Sequence, residues 1–282
     1  MPMRLVRWGE RETERPGLLA ADGTVRDLTE VVQDIAGTAL SDEGLACIRA
    51  GDPAALPSIP ARSRLASPAG GTGKIVCIGL NYRDHAAEAN LLEPKEPIIF
   101  LKATSSITGP HDPVAIPPGA EKVDWEVELG VVIGRTARNV TDAEALSHVA
   151  GYCTVNDVSE RAWQMERGGQ WDKGKSADAF APIGPWLVTR DEIPDPQALT
   201  LWLEVDGVRR QNGTTADMIF GVANLVAYTS CFMSLQPGDV IATGTPAGVG
   251  MGFRPPVYLR VGQIMRAGIQ RLGEQTSEAM AS

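Results

Sequence analysis

The chain predicts an α+β fold dominated by β-structure, and three observations carry that expectation. Thirty Gly and 20 Pro among 282 residues call for many turns. Most apolar runs are about five to ten residues long and end at Gly, Pro or Asp, as strands do. These runs do not alternate regularly with helical patterns, which disfavours a doubly wound parallel sheet and favours a rolled or sandwich-like one.

The elements follow in order. RLVRWG (4–9), PGLLAADG (16–23) and TVRDLT (24–29) read as short strands with a turn at ADGTV, and residues 30–50 as a helix or two. Residues 51–73 are rich in Pro, Ser, Ala and Gly, the composition of a connector. Residues 1–70 are therefore expected to form a small N-terminal α+β domain with its linker, and residues 71–282 the main domain. That domain opens with the buried strand KIVCIGL (74–80). Further strands are expected at PIIFLKA, WEVELGVVIG, HVAGYCTVNDV, PWLVT, LTLWLEVDG, VRRQNG and DVIATGT, the last ending at residue 245. Helical patterns fall at DHAAEANLL (84–92), TDAEALSHVAG (141–151), SERAWQMERG (159–168) and MIFGVANLVAYTSCFM (218–233).

Composition narrows the function. Apolar residues at 43% support a real core, and charged residues at 22% argue against disorder. A net charge of −9 disfavours nucleic acid and anionic membrane as partners but leaves a locally positive small-molecule site open. The four cysteines, Cys47, Cys77, Cys153 and Cys231, form no C-x-x-C pair and read as reduced thiols. The N-terminal stretch lacks an apolar signal region, and no run approaches the roughly 18 apolar residues of a membrane span. A cytoplasmic location is the expectation, and the sequons at Asn139 and Asn212 then carry no meaning.

Gly169 to Ser176 spells G-x-x-x-x-G-K-S, the pattern of a phosphate-binding loop. The physics of that loop needs a strand before it and a helix after it. Here a polar, helix-like stretch precedes it, and Pro182 and Pro185 follow. Lys175 therefore needs another role.

DWEVELGVVIG offers one. On a strand, Trp125, Val127 and Leu129 face one way, and Asp124, Glu126 and Glu128 the other. Glu126 and Glu128 lie about 6–7 Å apart along such a strand. They are either a solvated strand face or a pair that needs a cation between them. The apolar continuation LGVVIG favours a buried end, and Asp157 closes another strand just before a helix for which Ser159 is a plausible N-cap. Three hard oxygen donors would suit Mg²⁺ or Mn²⁺ over Zn²⁺. His85 and Glu88 stand at i and i+3, one helical face, where a carboxylate can orient an imidazole as a base; a stray surface histidine is the alternative. His111 reads as a loop residue and His148 as a helix C-terminal one.

GLNYRDHAAE, PIIFLKATSSITGP, DWEVELGVVIG, NDVSERAWQ, GKSADAFAPIGPW, QNGTTADMIFGVANLVAYTS and LQPGDVIATGTPAGVG occur in an order that resembles the fumarylacetoacetate hydrolase family over roughly residues 74–252. That resemblance implies a rolled mixed β-sheet domain, a homodimer, and a Mg²⁺ or Mn²⁺ site on Glu126, Glu128 and Asp157. It also implies a His85–Glu88 dyad on a lid over residues 81–95, an active-site Gln164, an active-site and substrate-binding Lys175, and a substrate-loop Thr245. One position departs: Ala179 stands where many members carry Thr, which removes a hydroxyl from the pocket region. The implied substrates are small α-oxo carboxylates. The implied reaction is C–C hydrolysis of a 2,4-dioxo acid, such as an acylpyruvate or a sugar-derived dioxo acid, to pyruvate or a related α-keto acid. Ureidoglycolate cleavage, oxaloacetate decarboxylation and isomerisation of 2-hydroxyhepta-2,4-diene-1,7-dioate are alternatives on the same site.

Overall fold

Turn residues cut the chain into short pieces, as expected. The computed structural model describes residues 3–282. Its main elements are β1 (Arg4–Trp8), β2 (Arg15–Leu19), β3 (Val25–Asp27), α1 (Asp42–Ala50), β4 (Ile75–Gly79), α2 (Arg83–Glu88), β5 (Ile98–Lys102) and β6 (Val127–Ile133). These are followed by α3 (Asp142–Ala145), β7 (Val149–Asn156), α4 (Arg161–Met165), α5 (Asp172–Lys175), β8 (Ala181–Thr189), β9 (Thr200–Val205) and β10 (Val208–Thr214). The last are α6 (Val222–Phe232), β11 (Val240–Ala242), β12 (Ile264–Ile269) and β13 (Gly273–Ala281).

Two sheets dominate, so the β-rich α+β expectation holds. An 11-stranded sheet runs β3-β2-β1-β8-β7-β6-β11-β4-β5, with residues 65–66 and 107–108 adding short pieces. A five-stranded sheet runs β10-β9-β12-β13 and ends on residues 114–116. The large sheet is mixed: β4 lies parallel to β11, while β6 is antiparallel to both β7 and β11.

Strand β6 is buried along its whole length because it is apolar on both faces. Val127, Leu129, Val131 and Ile133 enter one hydrophobic cluster, shared with Leu201, Leu203 and Ala267 of the smaller sheet. Val132 enters a second cluster on the opposite face. That cluster also takes in Leu5, Leu18 and Leu28 together with Ile75, Ile183 and Val240. The N-terminal strands thus extend the large sheet, with Leu5 opposite Leu187, and share apolar packing with its centre. The Pro- and Gly-rich connector turns inward at its end, where residues 66–70 are all buried.

Differences from the expected elements have local causes. The helix expected over 84–92 ends at Glu88, and Asn90 takes φ +55° beyond it. The helix expected over 141–151 stops at Ala145, and one 3₁₀ turn leads into β7, whose Val-Ala-Gly-Tyr-Cys-Thr-Val run is needed for pairing between β6 and β8. The strand expectations stopped at residue 245 and missed β12 and β13. In β13 the inward-facing positions include Gln275 and Ser277, which blurs the apolar alternation. Gln275 is satisfied inside: its Nε2 donates to the carbonyls of Thr154, Pro182 and Gly184 at 2.8, 3.0 and 3.1 Å.

Leu5 is fully buried where β1 meets β8. Leu5→Ala should lower unfolding free energy by about 2–5 kcal/mol. Chemical denaturation followed by tryptophan fluorescence should still show one cooperative transition, whereas an early separate transition would mean that the N-terminal strands fold on their own.

Candidate active site

Antiparallel register assembles the acids. Val127 of β6 lies opposite Asn156 of β7, and Glu128 opposite Val155. The start of one strand therefore meets the end of the other. Glu126 accepts on its carbonyl from the Asp157 amide at 2.8 Å, and its own amide donates to Asn156 Oδ1 at 3.0 Å. As a result, Glu126, Glu128 and Asp157 bring one carboxylate oxygen each within 4.8 Å of one another. All three side chains are buried.

Cations surround this cluster. Lys175 Nζ donates to Glu126 Oε2 and Asp157 Oδ2, both at 2.7 Å. Lys102 Nζ donates to Asp157 Oδ1 at 2.6 Å and to the Val158 carbonyl at 3.0 Å. Arg161 spans three partners: Asp124 Oδ2 at 2.8 Å, Glu126 Oε1 at 2.6 Å and Gln164 Oε1 at 3.0 Å. Asp124 sits on the same strand face as Glu126, yet its carboxylate is fully engaged, also accepting the amides of Gly250 and Met251 at 2.6 and 3.0 Å.

Four carboxylates (Asp124, Glu126, Glu128, Asp157) thus meet three cations (Lys102, Arg161, Lys175), and among the described residues Glu128 is the one left without a cation. Among the described residues its Oε2 accepts only the Gly244 amide, at 2.8 Å. Gly244 makes that possible, because its φ of +95° is unfavourable for other residues and a Cβ would lie 2.7 Å from Asn81 Cβ. The charges respond accordingly. Burial pushes Glu126 up, but Lys175, Arg161 and His85 outweigh it and hold the carboxyl well below its usual range. Burial, reinforced by Asp157 and Glu126, pushes Glu128 well above that range. Three clustered hard oxygens with one surplus negative charge fit a divalent hard cation, which is the chemistry of Mg²⁺ and Mn²⁺.

The cluster floors a cavity of about 320 Å³. His85, Glu88, Gln164, Lys175 and Thr245 line it with Glu126 and Glu128. The chain reaches His85 through Leu80, whose φ of +52° is uncommon for a bulky residue and bends the backbone from β4 into α2. His85 Nδ1 is 3.1 Å from Glu88 Oε2, and Glu88 Oε1 accepts the Gly248 amide at 2.9 Å. The carboxylate is fixed at both ends. Gly252 packs against it so closely that a Cβ there would lie 2.3 Å from Glu88 Cδ. The other imidazole nitrogen has no hydrogen-bond partner among the described residues.

Each residue singled out in the sequence can now be placed. Asp157 lies beneath the cavity floor, held by both lysines. Thr245 lines the cavity, but its hydroxyl donates to the Val127 carbonyl at 2.9 Å and accepts from Gln211 at 2.7 Å. Lys175 ends the four-residue helix α5, and the chain then enters β8, so the phosphate-loop pattern has no helix behind it. Ala179 is buried at φ +61° and is not among the residues lining the cavity. The N-cap of α4 is Glu160, not Ser159 as expected. The Glu160 carboxylate accepts the Trp163 amide at 2.6 Å, while the Ser159 hydroxyl donates to the Asp157 carbonyl at 2.9 Å.

The sequence alone did not pair Lys102 or Arg161 with the acids, nor Asp124 with Arg161. Lys102 shares strand parity with Phe100, and the structure buries both while Leu101 between them is exposed, but PIIFLKA by itself does not say which face turns inward. Arg161 had no readable signal, since SERAW reads as an ordinary solvated first helical turn.

Fold and site together define a β-rich scaffold with an acidic metal-type cluster under a histidine-bearing cavity. The match to the family model for the fumarylacetoacetate (FAA) hydrolase C-terminal domain covers residues 74–278. A Burkholderia multivorans protein, named as a hydrolase by inference, is 62% identical over 274 residues, covering 97% of each chain. Maleylpyruvate hydrolase from Sphingobium sp. SYK-6, solved with manganese(II) and pyruvate, superposes with a TM-score of 0.81 at 32% identity, covering 99% of this chain and 100% of that one. A 2-hydroxyhepta-2,4-diene-1,7-dioate isomerase from Mycobacterium marinum superposes with a TM-score of 0.75 at 33% identity, covering 99% of each. The chain belongs to the fumarylacetoacetate hydrolase family.

A cation that neutralises the cluster should stabilise the fold. At a hundred times its dissociation constant, Mg²⁺ or Mn²⁺ should add about 2.7 kcal/mol, read as a rise in melting temperature. Glu126→Ala should abolish that rise. An undiminished metal-induced shift in the variant would remove Glu126 from the ligand set.

Proposed function

We propose that the chain is a Mg²⁺- or Mn²⁺-dependent hydrolase that cleaves the C3–C4 bond of a 2,4-dioxo acid, giving pyruvate or a related α-keto acid and a carboxylic acid. One observation carries the reading: an imidazole oriented by a carboxylate, its second nitrogen unpartnered among the described residues, lines the same cavity as Glu126 and Glu128, which cluster with Asp157. Hydrolysis needs an activated water, and the His85–Glu88 pair supplies a base that can activate one.

Glu126, Glu128 and Asp157 would hold the ion, which when bound supplies Lewis-acid polarisation of the substrate's 2-oxo-carboxylate end. His85, steadied by Glu88, takes a proton from water, and the hydroxyl adds to the C4 carbonyl. Gln164 has its Oε1 occupied by Arg161, which leaves its amide hydrogens to position that water. The C3–C4 bond then breaks, its electron pair passes to C3 as an enolate, and the protonated His85 can return the proton there. Lys175, a permanent cation between Glu126 and Asp157, stabilises the negative charge that builds up on the enolate oxygen. Thr245, its hydroxyl already engaged, acts by anchoring its loop to β6. The maleylpyruvate hydrolase resolved with manganese and pyruvate supports this reading through its similarity to the chain.

The direct test is pyruvate release by the purified protein from acylpyruvates and from a 2,4-dioxo-3-deoxy sugar acid, with and without Mg²⁺. Metal-dependent release is expected, and the absence of pyruvate from every such substrate would refute the reading. His85→Ala should keep the metal-induced rise in melting temperature but lose about 10²- to 10⁴-fold in turnover. Unchanged turnover would exclude His85 as the base.

A further inference from the structure

The cavity has a second charged feature that the hydrolytic steps do not use. Three cations line it: Lys175, Arg161 and Arg254. The first two are buried and paired with acids, Lys175 with Glu126 and Asp157, and Arg161 with Asp124 and Glu126. Arg254 is exposed, stands in the loop just after Gly252, and pairs with no carboxylate among the described residues.

Its head is nevertheless held. Nη1 donates to the carbonyls of Met251, Gly252 and Phe253 at 3.2, 3.2 and 3.0 Å, which curls the side chain onto its own loop. Nε and Nη2 make no hydrogen bond among the described residues, so one planar two-donor edge of the guanidinium is unspent. Such an edge matches a carboxylate in bidentate geometry. Much of the remaining wall is apolar, with Ile78, Phe100, Val249 and Met251 offering no partner for a charge and Trp171 only its indole N–H. The cavity is thus bipolar along its depth: acids and their cations at the buried floor, one carboxylate-free guanidinium at the open rim. Its volume of about 320 Å³ suits a short chain reaching between the two.

We propose that Arg254 is a specificity-determining residue that receives a second carboxylate at the far end of the substrate, so that the preferred substrates are short dicarboxylates. This rests on the assignment of the oxo-acid end to the acidic floor.

The test uses two substrates of similar size, 2,4-dioxoheptanedioate, which carries a terminal carboxylate, and 2,4-dioxooctanoate, which ends in a methyl group. Pyruvate release is measured with Mg²⁺ for the wild type, Arg254→Met and Arg254→Lys. The wild type should favour the dicarboxylate by about tenfold or more in kcat/KM. Arg254→Met should erase that preference by lowering the dicarboxylate value roughly 10- to 100-fold while leaving the methyl-ended substrate within about twofold. Arg254→Lys, which keeps the charge and loses the fork, should recover part of the preference. No preference in the wild type, or equal loss of both substrates in Arg254→Met, would overturn the proposal and leave Arg254 a loop brace. If neither compound releases pyruvate, the hydrolytic reading fails separately. Calorimetric binding of the same pair to the Mg²⁺-loaded protein then decides Arg254, with a dicarboxylate preference that the Met variant loses supporting the proposal and its absence overturning it.

Discussion

The structure depends on seven charged side chains withdrawn from water at one end of a strand pair. Four carboxylates and three cations share this space, and none could remain ionised there alone. Removing one partner from such a buried pair typically costs about 3–5 kcal/mol, because the other is left uncompensated. The arrangement is a poor way to gain stability and a good way to hold charge in a fixed geometry. Its surplus acid, Glu128, is the group whose charge burial and neighbouring acids most oppose. A divalent ion held there would relieve that opposition.

Neutral polar clamps give the floor its rigidity. Asn81 is fully buried; its amide donates to the carbonyls of Phe220 and Thr243 and its Oδ1 accepts the Phe220 amide, joining the start of α2 to the segment that leads into α6. Gln211 is also fully buried, accepts the Val127 amide at 2.9 Å and donates to Thr245 and the Pro246 carbonyl. Through it the smaller sheet grips the strand that carries Glu126 and Glu128. With every polar atom of these clamps satisfied, the backbone at the metal-type cluster has little freedom.

The side of the cavity that carries His85 and Glu88 is built differently. His85 and Glu88 lie on a six-residue helix followed by the exposed Leu91 and Leu92, and they meet the rest of the site mainly through the amide of Gly248 and the close packing at Gly252. The floor is held by strand pairing and buried ion pairs, whereas the His85–Glu88 pair is held by one loop. Arg254 continues the same loop toward solvent, so the rim and the dyad share one support.

Much of this was legible without coordinates. Strand alternation in DWEVELGVVIG put Glu126 and Glu128 on one face, and helical spacing put His85 beside Glu88, because side-chain direction within one element is a local property. The absence of a helix after Lys175 was also readable, since the prolines that forbid it are nearby in the chain. What sequence left undecided was everything set by register and by packing between distant segments. Asp157 meets Glu126 only because residue 127 pairs with residue 156. Lys102 and Arg161 turn inward because those acids need them, although each looks unremarkable in its own stretch. Gln275 hid the C-terminal strands because its carbonyl partners lie on β7 and near the start of β8. Local stereochemistry determined which residues could act together; only the tertiary structure, by balancing buried charge and buried hydrogen bonds across the chain, decided which of them do.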